Sequence, residues 1–96
     1  MERSIVQELK PIINQNKLAY LQEKWLEYQE AENCNNIAWD VVYKDIYLHA
    51  CLKGQHDIVV WLDELYKEFN PITQIALRQM FPYARHLLQK HKISMK

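Results

Sequence analysis

The chain has 96 residues, nearly half of them hydrophobic, with three Trp and six Tyr but only one Gly and three Pro. So short a chain fits one small domain with a modest core, and so few turn-forming residues leave little room for an all-β fold. Its twelve acidic and twelve basic residues balance to a formal net charge of zero, which gives no support to a general nucleic-acid or membrane binder.

In chain order, the first 32 residues read as a helical pair. Ser4 is placed to cap a first helix from about Ile5, with Ile5, Val6, Leu9, Ile12 and Ile13 recurring on one face. Pro11 is expected to kink or split it, and Asn14-Gln15-Asn16 to end it. A second helix is expected over about 17–32, with Leu18, Leu21, Trp25 and Tyr28 inward and Glu23, Glu27, Glu30 and Glu32 outward. The asparagine-rich run Asn33-Cys34-Asn35-Asn36 reads as a turn.

Residues 37–70 form a central pair. Val42, Ile46, Ala50 and Cys51 recur at helical spacing, and Trp39, Tyr43 and Tyr47 thicken the same side. The only glycine, Gly54, then suits the residue after a helix end, where a positive φ costs little without a Cβ. Beyond it, Ile58, Val59, Trp61, Leu62, Leu65, Tyr66 and Phe69 make a second apolar face, stopped by Asn70-Pro71. So short a link makes the two helices antiparallel neighbours. Residues 71–92 read as a short third pair. Thr73 to Met80 is one helix, and Pro82 opens the other, which carries Tyr83, Ala84, Leu87 and Leu88 inward. The expectation is an all-α single domain over 1–96, about six helices in three antiparallel pairs.

Sliding the chain by 25 residues lays Ala50-Cys51-Leu52 over Ile75-Ala76-Leu77 and Asp57-Ile58-Val59 over Pro82-Tyr83-Ala84. At Ala50-Cys51-Leu52-Lys53-Gly54-Gln55-His56-Asp57-Ile58-Val59-Val60-Trp61-Leu62 the chain resembles a degenerate ankyrin repeat, in a form similar to divergent repeats of large DNA viruses and some protists. The 25-residue step departs from the family's usual step of about 33. The Thr-Pro-Leu-His opening is absent, with Asp45-Ile46-Tyr47-Leu48 in its place, and Gln79 stands where a second Gly54 belongs. The resemblance implies an ankyrin-like stack of helical pairs that binds proteins, with very short or missing β-hairpin loops. For a viral chain it implies the host-cell cytosol.

No catalytic grouping stands out. His49, Cys51 and His56 are close in sequence, but residues two apart do not share a helix face, and neither a C-x-x-C nor an H-x-x-x-H pattern completes a zinc site. Cys51 as a nucleophile lacks an orienting acid, and one glycine is too few for a phosphate loop. Neither a metal nor a cofactor is expected. The start MERSIVQELK has no apolar signal-peptide core, and no apolar run approaches the roughly 18 residues of a membrane span. A cytoplasmic chain with free thiols at Cys34 and Cys51 is expected.

Two features point toward partners. Residues 1–68 hold all twelve acids and seven Lys/Arg, a balance of −5, while residues 69–96 hold five Lys/Arg and no acid, a balance of +5. Arg78, Arg85, Lys90 and Lys92 therefore offer a surface for an anion or an acidic partner. Terminal pairs of a helical stack also expose apolar surface unless capped, which makes Tyr20, Trp25, Trp39 and Tyr43 the candidate protein-binding residues. The expected function is a small non-enzymatic interaction module with an unidentified protein partner, as a homodimer. The alternative is a nucleic-acid-associated protein using the basic C-terminal segment, with nucleic acid the less favoured partner.

Overall fold

The computed structural model describes residues 2–31 and 34–91. These form six α-helices and a 3-10 turn, with no strand among them. The helices are α1 (Glu2–Asn14), α2 (Leu18–Glu30), α3 (Trp39–Lys53), α4 (His56–Tyr66), α5 (Pro71–Arg78) and α6 (Phe81–Gln89), and the 3-10 turn is Cys34–Asn36. Lys92, Glu32 and Asn33, named above on sequence grounds, lie outside the described residues.

The fold is organised around α3. Helices α1, α4 and α6 all pack against it, α5 touches it more lightly, and α2 reaches the core through α1. Its composition explains that position: Val42, Tyr43, Ile46, Tyr47, Ala50 and Cys51 are all fully buried, so the helix is apolar around most of its girth and needs cover on several sides.

Each helix end has an identifiable cause. Gly54 takes the left-handed conformation, φ 68°, and its N–H and that of Gln55 close back on Ala50 and Cys51 carbonyls, as expected of a glycine past a helix end. Asn16 does the same for α1 at φ 55°; asparagine is the residue that best tolerates that region after glycine. Gln55 also donates to the carbonyls of Ile13 and Asn14, at 3.0 and 3.3 Å, so the α3–α4 turn caps α1. At the start of α3, where Ala38 has no capping side chain, the Glu2 carboxylate accepts from Ala38 N–H at 3.0 Å. Asn70 caps α5 by accepting from Thr73 N–H at 2.8 Å, with Pro71 in the first turn.

Two expectations are corrected and one is narrowed. Of the kink or split expected at Pro11 the split does not occur, since α1 runs unbroken to Asn14. The proline sits in the last turn, and the carbonyl deprived of a donor belongs to exposed Gln7, where water can serve it. Ser4 lies inside α1, which begins two residues earlier, and so does not cap it. Tyr83 does not face inward; it is exposed while its neighbours Ala84, Leu87 and Leu88 are buried.

The 25-residue offset holds in part for α6 and fails for α5. Ala84 and Leu87 are buried like Val59 and Leu62, but Tyr83 is exposed where Ile58 is fully buried. In α5, Ile75 and Ala76 are exposed where Ala50 and Cys51 are fully buried, and Leu77 is buried where Leu52 is half exposed. Gln79 is right-handed at φ −66°, unlike Gly54. Helix α5 therefore does not repeat the seat of α3, and α6 rather than α5 fills the place beside it.

Candidate functional site

The aromatic residues divide into two groups with different fates. A spine of rings runs through the core: Phe69 to Tyr43 (5.2 Å between centroids), Tyr43 to Tyr47 (5.6 Å), Tyr47 to Phe81 (5.5 Å) and Phe81 to Tyr66 (5.2 Å). Its three edge-to-face contacts are the arrangement ring quadrupoles favour. The hydroxyls are satisfied: Tyr43 donates to the Leu62 carbonyl at 2.7 Å and Tyr47 to Asp63 Oδ1 at 2.6 Å, tying α3 to α4. Burial pushes both phenols far above their ordinary range. Tyr43 was expected at an interface; it is instead fully buried, because its hydroxyl has a backbone partner inside the core.

The second group is a tryptophan cluster at the edge of the core. Trp25 of α2 meets Trp39 of α3 at 5.0 Å, tilted by 59°, and Trp61 of α4 at 6.2 Å edge to face. Trp39 is half-buried and fixed by donation of its indole N–H to the Cys34 carbonyl at 3.0 Å. Trp25 is almost fully buried, and its indole N–H has no hydrogen-bond acceptor among the described residues. A buried donor left without a partner is uncommon and costly.

Trp25 and Trp39 line one open groove of about 480 Å³ together with Gln29, Asp40, Leu65, Glu68, Phe69, Asn70 and Thr73. The groove is formed by α2, the start of α3, the last turn of α4, the link from α4 to α5 and the start of α5, and its volume lies in the range of ligand sites. Asp40 and Glu68 are its only charged residues, and neither takes part in an ion pair among the described residues. The structure thus brings together two of the four expected interface aromatics. Tyr20 is exposed on α2 but does not line this groove.

The basic residues do not converge on the groove. Arg78 donates through Nε to the Tyr66 hydroxyl at 3.1 Å, and Arg85 and Lys90 are exposed on and just beyond α6. Sequence reasoning did not single out Gln29, Asp40, Glu68 or Thr73. They come from four separate segments, and no local spacing signals that they meet.

The remaining reactive side chains are dispersed. Cys51 is a buried thiol pushed up to about 12, by burial first and by the nearby Asp63 charge second, which leaves it protonated and a poor nucleophile. His49 shares a hydrogen bond with Asn14 Oδ1 at 2.7 Å, and burial lowers its pKa from the usual imidazole value. No group of three or more His, Cys, Asp or Glu among the described residues is placed to hold a metal ion, and no described helix is long and apolar enough to cross a membrane. Comparison with protein-family models, with curated proteins and with solved structures gives no match to this chain.

Proposed function

We propose that this chain is a small non-enzymatic protein-interaction module, an ankyrin-like packing of helices whose docking site is the tryptophan groove. The observation that supports this reading is the groove itself. Two indoles, one of them carrying an unpartnered N–H, sit with Leu65 and Phe69 in a concavity lined by four helices and the α4–α5 link. Tryptophan is the residue type most enriched at energetic centres of protein interfaces, and such centres are aromatic pockets ringed by polar residues. Gln29, Asp40, Glu68, Asn70 and Thr73 supply that rim.

The test is capture of polypeptides from cells of the native source by the wild-type chain and by Gln29→Phe/Thr73→Phe, which fills the groove without changing its charge. Gln29 is exposed, and the backbone N–H of Thr73, not its side chain, carries the Asn70 cap. The melting temperature should therefore stay close to that of the wild type. Proteins retained by the wild type and lost by the variant support the reading. Retention that is the same for both rejects the groove as the docking site.

A further inference from the structure

We infer that the groove takes an arginine side chain, presented by an extended basic segment of the partner protein. This rests on the reading of the groove as a docking site and adds the chemistry of what enters it.

The inference starts from the lining. Two of the lining residues are half-buried aromatics, Trp39 and Phe69. The only charges are the carboxylates of Asp40 and Glu68, with no Lys, Arg or His among the lining residues. Neither carboxylate is neutralised by a basic neighbour among the described residues. Lys24 pairs with Glu8 at 2.9 Å and Lys67 with Glu64 at 3.4 Å, while Lys44, one turn beyond Asp40 on α3, forms no ion pair with it. A groove with aromatic walls and only negative charge selects a cation and repels phosphate, so a nucleic acid does not fit it.

Among cations, guanidinium matches best. It is planar and weakly hydrated, stacks on aromatic faces, and presents five N–H donors in a fixed fork that carboxylates accept in pairs. The side-chain carbonyls of Gln29 and Asn70 add neutral acceptors at the rim. A lysine ammonium is a compact, strongly hydrated point charge and gains less from a flat ring.

The experiment is a titration of ¹⁵N-labelled chain with three synthetic peptides, Gly-Ser-Gly-X-Gly-Ser-Gly, where X is arginine, lysine or citrulline. The readout is the set of indole N–H resonances, one for each of the three tryptophans. The arginine peptide should shift the Trp39 and Trp25 resonances saturably, and the lysine peptide should bind several-fold more weakly. The neutral citrulline peptide should bind about tenfold or more weakly, the worth of a charge-assisted hydrogen bond. Asp40→Asn/Glu68→Gln should weaken the arginine peptide by a similar factor while leaving the fold's other resonances in place.

Equal binding of arginine and citrulline peptides, or an unchanged affinity in the double variant, overturns the assignment. So does the absence of any saturable shift. These results are distinct from failure of the docking reading, which the groove-filling variant judges on its own: loss of partners in Gln29→Phe/Thr73→Phe with equal binding of all three peptides keeps the docking site and rejects arginine.

Discussion

Gly54→Ala tests the geometry on which the α3–α4 turn depends. At φ 68° the substituted residue must hold a left-handed backbone, which costs an L-residue about 1–2 kcal/mol. There is a second contribution. A Cβ built on Gly54 lies 2.6 Å from Cγ and 2.7 Å from Nδ1 of the His91 ring, closer than carbon and ring atoms approach, so the ring must move. His91 donates through Nε2 to the Leu52 carbonyl at 2.7 Å, near the end of α3. Displacing it forfeits a hydrogen bond of about 0.5–1.5 kcal/mol, at the lower end because His91 is exposed. The two contributions sum to about 1.5–2.5 kcal/mol, on the order of 6–20 °C in melting temperature for a chain of this size. The informative measurement is a double-mutant cycle with His91→Ala, followed by urea unfolding. With the ring removed, Gly54→Ala should cost only the backbone part. An equal loss in both backgrounds would refute the contact between His91 and Gly54, and no loss in either would refute the left-handed turn.

Tyr43→Phe should lower stability by about 1–2 kcal/mol, because it leaves the Leu62 carbonyl without its buried donor; an unchanged urea midpoint would show that the bond contributes nothing net. Asp63 has its pKa raised, mainly by burial and against the opposing hydrogen bond from Tyr47. The folded chain thus holds that proton more tightly than the unfolded chain, and the stability it contributes at acid pH is lost as pH rises through the folded pKa. Asp63→Asn should therefore gain stability relative to wild type from acid to neutral pH, and urea midpoints that keep a constant difference over that range would contradict this. Glu8 titrates in the opposite sense: hydrogen bonds from the Tyr28 hydroxyl and from Lys24 hold its pKa below the usual carboxylate value. The stability it contributes is present above the ordinary carboxylate range and lost as pH falls through the folded pKa, so Glu8→Gln should flatten the acid limb of the stability curve. Leu9→Ala, which empties a fully buried position in α1, should cost about 2–5 kcal/mol; a cost below 1 kcal/mol would show that α1 does not seal α3.

The helical content and the Gly54 turn were legible because each depends on local signals. Apolar spacing marks the buried faces of α1, α2 and α3, and a lone glycine between two amphipathic runs marks a left-handed helix end. The α5 surface was not legible. The offset lays Ile75 over Ala50, which is fully buried, yet Ile75 is 60% exposed and the neighbouring Ile72 82%. The reason is tertiary: α6 fills the space beside α3 that a true second repeat would give to α5.

Aromatic excess suggested exposed rings at Tyr20, Trp25, Trp39 and Tyr43. Of these Tyr20 is exposed, Trp39 is half-buried and Trp25 is almost fully buried. Tyr43, like Tyr47, is consumed by the core, since each hydroxyl finds an acceptor on α4. The spacing of tyrosines in α3 carries no record of where those acceptors fall. The groove's carboxylates were invisible for a similar reason: no local pattern marks Asp40 and Glu68, which meet only because the start of α3 and the α4–α5 link line the same groove.

The docking role of the tryptophan groove is tested most directly by calorimetry. A partner recovered with the wild-type chain would be purified and titrated against wild-type and Gln29→Phe/Thr73→Phe chains at several temperatures. A groove that buries apolar surface on binding should give a negative heat-capacity change for the wild type, and the variant should bind at least about tenfold more weakly, the effect of losing roughly 1.4 kcal/mol of interface energy. Equal affinity and equal heat-capacity change for the two chains would contradict it.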